Sequence, residues 1–477
     1  MKNPLTTKLL TLGAVIALLA LFLQMIQGII SERQMYRNQA VDSVSQALAG
    51  PQTLLGPMLH MACVETWDKR ISTREQGADR VQEERREFLQ AIVPTGLNIQ
   101  NLVTAESRSR SIYTTQVLQT KATLKAQFEQ GDALKPKGTM ANSRMQCGSP
   151  ILMLALDDPR GIRHASARIN GTDYKLKAGT FHPTYKRGMH VQLPPVALNA
   201  AAAEGWQAEL VIEFVGTQQL NIVPLGDTTL IRMDSNWRHP SFAGRFAPAE
   251  RKLHSTGFSA DWRLTSVATD APALAKEAKP ICEPHQGAKD CVETVQVNFI
   301  DPVNAYTLSD RASKYGLLFI ALSFVALGMF EVMKKLRVHP VQYLLAGAAL
   351  CTFFLLLVSL SEHIGFARAY AAGACATVLL LTYYASHMLG GKLRGLPFGA
   401  GIAMLYAFLY VLLQLEQTAL VMGSALLFIV LALVMVLTRK INWYAQFSNN
   451  TSTPPHPPAV VEMLHKWQPR SMYRAVQ

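Results

Sequence analysis

Apolar residues are spread very unevenly along this 477-residue chain. One apolar run occupies residues 9–30. A long, mostly polar stretch follows, and five further runs crowd into residues 315–333, 341–360, 366–387, 397–415 and 418–437. About 20 consecutive apolar residues cross a bilayer as a helix. The layout therefore reads as a membrane protein with one large water-exposed domain, held at both ends by membrane helices.

Charges between the runs orient them. Lys2 and Lys8 flank the start of the first run; Lys334, Lys335 and Arg337 follow the second, Lys392 and Arg394 the fourth, Arg439 and Lys440 the sixth. Glu362 and His363 follow the third run, and Glu416 follows the fifth. Basic residues concentrate in cytoplasmic loops, so this alternation predicts both termini inside and the polar domain outside the cytoplasm. Run 9–30 is too long for the apolar core of a cleaved signal. The cleavage-like Ala47-Leu48-Ala49 lies too far downstream, so the run is expected to stay as an anchor. The expected plan is a cytoplasmic 1–8, a first transmembrane helix at 9–30, an exported β-rich domain at 31–313, a five-helix transmembrane domain at 314–438 and a cytoplasmic tail at 439–477. The tail holds Pro454-Pro455-His456-Pro457-Pro458 and is expected to be disordered.

Within the exported segment, Met35, Val41, Val44 and Leu48 fall near one face at helical spacing, so the anchor helix is expected to continue to Gly50-Pro51. Strands are expected at 111–128, 151–156, 208–214, 219–224, 230–233 and 294–299. Between them stand turn residues such as Asp158-Pro159-Arg160-Gly161 and the hairpin signal Asn170-Gly171. Residues 268–290, rich in Ala, Pro and Lys, read as a loop or an insertion. The expected fold class is thus an α-helical bundle of six transmembrane helices plus a large all-β, sandwich-like domain inserted between helices 1 and 2.

Cys63, Cys147, Cys282 and Cys291 all fall in the exported segment, where an even count permits disulfides. Cys282 and Cys291 bracket a short loop with Pro284, His285 and Gly287 and are the expected pair. A Cys63–Cys147 bond and free thiols both stay open. Cys351 and Cys375 fall inside apolar runs, as small apolar residues.

The net charge of +13 reflects basic residues interspersed with acids, not a basic block, so nucleic acid is not an expected partner. No P-loop, dinucleotide fingerprint or paired-histidine zinc helix is present. Gly257-Phe258-Ser259-Ala260-Asp261 lacks the last glycine of a nucleophile elbow, and His164, His182 and His190 match no metal-site spacing. No cofactor, metal or catalytic residue is therefore assigned. Charges at the membrane carry more weight. Glu331 stands beside Lys334 and Lys335 and is expected to pair with them. Glu362, His363 and Arg368 group at an outer helix end, as an ion pair or, alternatively, a proton relay.

Several strings together resemble the CreD family of inner-membrane proteins: Gly50-Pro51-Gln52, 112–117, 158–161, Asn236-Trp237-Arg238-His239-Pro240-Ser241-Phe242, 301–303 with Tyr306 and Arg311, His339–Leu345, and Ser361–Phe366. They occur in order over nearly the whole chain. Residues near 270–290, with their cysteines, and the tail beyond Ala445 depart from that pattern, so the resemblance gives the disulfides no support. It implies a Gram-negative inner-membrane protein of envelope integrity and stress response, with the large domain in the periplasm. Trp237, Arg238 and His239 then become candidate functional residues, because such side chains in a loop suit recognition. The expected partners are the lipid bilayer and envelope proteins or the cell wall. The leading expectation is a non-enzymatic envelope protein. The alternative is a membrane enzyme or transporter acting on a lipid or cell-wall precursor through Glu362, His363 and Arg368.

Overall fold

A computed structural model describes residues 4–72, 79–129, 136, 138–194, 205–283, 290–300, 304–334, 338–388, 391–415 and 419–439. The Pro-rich tail, the 284–289 loop, residues 301–303, Lys335, Arg337 and Glu416 lie outside the described residues. The chain divides into two compact units, Met1–Leu405 and Tyr406–Gln477.

Helix α1 runs unbroken from Pro4 to Ala47. Neither glycine nor proline occurs between Ile29 and Ala47, so nothing interrupts its backbone ladder. Leu19, Leu23, Ile26 and Ile30 recur every three or four residues and are all buried, which gives the helix one packed face.

The strands are β1 (Gln52–Ser72), β2 (Asp79–Ile92), β3 (Gly96–Arg110), β4 (Tyr113–Phe128), β5 (Arg144–Cys147), β6 (Ile151–Leu156), β7 (Ile162–Ile169), β8 (Thr172–Tyr174), β9 (Lys177–Ala178), β10 (Gly188–Gln192), β11 (Trp206–Thr217), β12 (Gln219–Ile222), β13 (Thr228–Ser235), β14 (Ser241–Gly244), β15 (Glu250–His254), β16 (Gly257–Thr265) and, after a short helix α2 (Ala271–Lys276), β17 (Val295–Asn298). One sheet runs β14-β17-β12-β1-β6-β10-β9, with β2 and β5 also paired to β1; the other runs β15-β16-β13-β3-β4-β11-β7-β8. In the second sheet β3, β4, β11 and β13 alternate buried and exposed residues, so one face is covered. Leu54 and Leu59 of the first sheet and Ile99, Leu124, Phe214 and Trp262 of the second share a single buried apolar cluster. The Asn170-Gly171 turn joins β7 to β8 with φ of 47° and 80°, and Ile169 faces Thr172 across it.

Residues 268–290 read as a loop or an insertion; they are not all loop, since α2 sits there, with Pro272 at its start and Ala271 and Ala275 fully buried. Cys282 and Cys291 are bonded, beside the bridge between Ile281 and Val292. Cys63 and Cys147 are also bonded, directly opposite each other on β1 and β5. Two residues along, the Glu65 carboxylate accepts the Thr139 N–H at 2.6 Å, the Thr139 hydroxyl at 2.7 Å and the Met140 N–H at 3.0 Å. The Thr139 hydroxyl, together with these N–H groups, holds that carboxyl down to about 2.

After β17 come α3 (Ala305–Lys314), α4 (Gly316–Lys334), α5 (Pro340–Ile364), α6 (Phe366–Met388), α7 (Lys392–Gln414) and α8 (Ala419–Thr438). Among the described residues, four helices are long and apolar enough to cross a membrane: Leu10–Ala47, Pro340–Ile364, Phe366–Met388 and Gly395–Gln414. The α3–α4 pair makes a fifth if its 44° bend lies within one span, and Val421–Val436 is a shorter apolar helix. The second span was expected to begin at residue 315, and α4 begins at Gly316; ahead of it stands the separate helix α3, whose start Asn304 caps by accepting the Thr307 N–H at 2.8 Å. Gly347 of α5 lets α1 approach, since a Cβ there would stand 2.2 Å from Leu19 Cδ1. Glu331 takes Lys8 of α1 as its ion-pair partner and accepts the Tyr343 hydroxyl at 3.0 Å. The Lys334 and Lys335 side chains lie outside the described ones.

Candidate functional site

Helix α1, the β3–β4 turn, α3 and the α5–α6 turn meet around a cavity of about 420 Å³. Glu362, in the last turn of α5, is its chemical centre. Its Oε1 accepts the Tyr306 hydroxyl at 3.0 Å and lies 3.8 Å from Nε of Arg33 on α1. Tyr113, at the start of β4, stacks obliquely on Tyr306 with ring centroids 6.3 Å apart. Gly365, at φ 80°, reverses the chain between α5 and α6, a conformation that glycine adopts without strain. His363 and Arg368 are exposed, and the structure brings neither to Glu362. The expected Glu362–His363–Arg368 group is therefore replaced by Glu362, Arg33 and Tyr306.

Two further groups line the same cavity. Arg37, one turn beyond Arg33, lines the cavity and has no hydrogen-bond or ion-pair partner among the described residues. Thr115 is 5% exposed, and its hydroxyl has no hydrogen-bond partner among the described residues. Sequence reasoning gave neither a role. Thr115 lies within the 112–117 string, and the sequence signal for Arg37 is its place four residues beyond Arg33 on one helix face just past the apolar run.

The loop after β13 carries Trp237, Arg238 and His239. Trp237 packs half-buried against the shared core and donates from Nε1 to the His239 carbonyl at 2.9 Å; Arg238 and His239 are exposed. Asn236 fixes the loop to β3, accepting the Ala105 N–H at 2.8 Å and donating to the Ala105 carbonyl at 3.2 Å. Phe242 packs edge-on to Phe258 and Trp262, and Trp262 Nε1 donates to the Phe246 carbonyl at 3.1 Å. Much of this stretch therefore serves packing, and its exposed tip is Arg238 and His239.

A second polar group gathers at the first sheet, around His60 of β1, His190 of β10 and His182 on the connection between β9 and β10. His60, His182 and His190 are buried, whereas His164 is exposed on β7. The His60 and His182 rings meet edge-on at 5.6 Å. His182 Nδ1 accepts the N–H groups of Thr184 and Tyr185, both at 3.2 Å, so a proton there would face two donors. Burial, then the neighbouring His60, lowers the His182 pKa to about 4. Burial also lowers that of His60. A free imidazole titrates near 6.5. The unfolded chain therefore binds the proton first as pH falls, and stability drops between about pH 6.5 and pH 4, by about 3 kcal/mol for His182 alone. His182→Asn, whose side-chain oxygen can accept the same N–H groups, is expected to flatten that loss in chemical-denaturation curves of the full chain; an unchanged pH slope would refute the assignment. Among the described residues, no three His, Cys, Asp or Glu side chains group as metal ligands.

Residues 4–444 match the protein family described as "Inner membrane protein CreD". The chain belongs to the CreD family. It is 31% identical over 446 residues to the inner membrane protein CreD of Escherichia coli strain K12, covering 93% of this chain and 95% of that one. It is thus an inner-membrane protein. Among solved structures, an M1 zinc metallopeptidase from Deinococcus radiodurans aligns at 10% identity and a TM-score of 0.22, over 43% of this chain and 42% of that one. A mutant of that peptidase bound to a Tyr-Ser-Ala substrate aligns at 10% identity and a TM-score of 0.21 over the same shares. Scores this low carry no argument about chemistry.

Several of the strings that carry the CreD resemblance fall at two joints. One is the cavity, which takes residues from 112–117, Tyr306 and 361–366. The other is the end of α1. There Gln52 donates to the carbonyls of Asp158 at 3.1 Å and Val215 at 3.0 Å, and accepts the Asp158 N–H at 3.1 Å. Arg160 grips the Asp158 carboxylate at 2.6 Å and the Gln46 carbonyl at 2.8 Å. A Cβ on Gly161 would stand 2.2 Å from the Val215 carbonyl oxygen, so only glycine fits. This joint is structural: it clamps α1 to the sheets.

Proposed function

We propose that the chain is a six-span inner-membrane protein with cytoplasmic termini, organised as residues 1–8, 9–30, 31–313, 314–438 and 439–477. In this reading the sheet domain lies in the periplasm and supports envelope integrity and stress response by binding envelope proteins or the cell wall. The observation that carries it is the double attachment of the sheets. α1 enters them without a break, α3 leaves them just after β17, and Glu362 ties the two exits through Arg33 and Tyr306. A partner bound by the sheets is then coupled mechanically to the helices, and the exposed Arg238 and His239 offer a contact.

The 420 Å³ cavity beside Glu362 favours a second reading, a membrane enzyme or transporter acting on a lipid or cell-wall precursor. One substitution separates the two. Glu362→Gln keeps an acceptor for Tyr306 and removes the carboxylate. The supporting role predicts full complementation of a deletion strain, with stability lowered by about 1 kcal/mol. A proton relay predicts complete loss with the fold intact. The topology is tested by protease digestion: the sheet domain should be cut in spheroplasts and protected in inverted membrane vesicles. Crosslinking at Arg238 that captures no envelope component would count against the supporting role.

A further inference from the structure

We propose that the junction cavity binds the phosphodiester headgroup of an anionic phospholipid, with Arg37 taking the phosphate and the Thr115 hydroxyl donating to it. Among the described residues three ionic groups gather here, Arg33, Arg37 and Glu362. Glu362 is matched by Arg33 and by the Tyr306 hydroxyl, which leaves the Arg37 guanidinium as the uncompensated charge among them. One net positive charge fits one phosphodiester. A zwitterionic ethanolamine headgroup fits less well, because its amine would have to compete with Arg33 for Glu362.

Hydrogen bonding points the same way. A buried hydroxyl without a partner is costly, and structures normally satisfy it. Thr115 Oγ1 is such a group, it lines this cavity, and it can donate to an oxygen placed there. An arginine beside a hydroxyl donor is a common phosphate cradle, since the guanidinium fork matches two phosphate oxygens. The rim supplies the rest of an amphiphile site. Ile112 and Ile300 line the cavity, and both are 41% exposed. Arg37 stands seven residues past the apolar run, where a headgroup would lie. The placement in the outer leaflet rests on the proposed topology; the chemistry of the cavity does not.

The test uses the full-length protein in nanodiscs of phosphatidylcholine doped with phosphatidylglycerol or phosphatidylethanolamine. Retained lipid is counted by native mass spectrometry after release into mild detergent. One phosphatidylglycerol should be retained in preference to phosphatidylethanolamine. Arg37→Gln should reduce retention about tenfold, and Thr115→Val, close to isosteric, by a smaller factor. Lys121→Gln, on an exposed strand position paired with Glu213, should leave it unchanged. Melting curves for each variant establish that it is folded. Wild-type retention by folded Arg37→Gln would overturn the site. Equal retention of phosphatidylethanolamine would overturn the charge argument. Displacement by millimolar glycerophosphoglycerol or inorganic phosphate would show a soluble phosphate ester as the ligand and overturn the lipid assignment. The protease experiment tests topology separately, so the two ideas fail on different readouts.

Discussion

Gly257→Ala is expected to lower folding stability by about 3–4 kcal/mol. Gly257 opens β16 at φ +153°, a region that side chains rarely enter, and a Cβ there would stand 1.9 Å from the Ser235 carbonyl oxygen and 2.8 Å from Asn236 Cα. Both obstacles are backbone and cannot swing aside. Ser235 ends β13, which is held between β3 and β16, and Asn236 is bonded to Ala105. Relief would require moving the whole Trp237 loop. Gly171→Ala is the control: φ there is +80° with nothing within 4 Å, so it should cost only about 1 kcal/mol. Melting of the detergent-solubilised full chain measures both. Equal shifts for the two would mean that the β13–β14 loop yields, and that it is less firmly held than its bonds indicate.

Removing the Cys63–Cys147 bond by a double serine substitution should cost about 4 kcal/mol, and removing Cys282–Cys291 about 2 kcal/mol less. The bonds span 84 and 9 residues. The chain-entropy estimate grows with the logarithm of the enclosed loop, and that ratio sets the difference between them. The longer bond also fastens β5 to β1 next to the segment that Glu65 clamps. Chemical denaturation of each variant under oxidising conditions measures the order. If the short loop proved the more important, loop entropy would not be the governing quantity.

The parts of this fold legible in the sequence are those set by local chemistry. Apolar runs announce membrane helices without any knowledge of packing, and Asn170-Gly171 announces its hairpin because few residues accept its backbone angles. β1 and β2 were not legible, for a physical reason. β1 is covered on both faces from Gln52 to Met61, so it lacks alternation; its far half and β2 are charge-rich, and they pair over residues 59–72 and 79–92. α2 has six residues, too few to display a helical period. At the candidate site, Glu362 was visible as a charge at the end of an apolar run. Its partners were not. Tyr306 lies 56 residues away, and Arg33 hundreds of residues upstream; only the fold brings them together. Arg368, the neighbour in sequence, is exposed and makes no ion pair with Glu362 among the described residues, because adjacency along a chain bent at Gly365 does not mean proximity of side chains. Glu331 repeats the lesson, reaching back 323 residues to Lys8.

The unbroken course of α1 has a mechanical consequence. Residues 31–47 stand about 25 Å beyond the apolar run at the helical rise per residue. With no glycine or proline in that stretch, and its end gripped by Gln52, Asp158 and Arg160, the segment acts as a lever. A tilt of about 10° at its base sweeps the far end through about 4 Å. A pull on the sheets is returned, with leverage, as a torque on the base. The Arg33–Glu362 pair and Arg37 sit at the fulcrum, so occupancy of the cavity would stiffen or free the lever at the point where the smallest displacement has the largest reach.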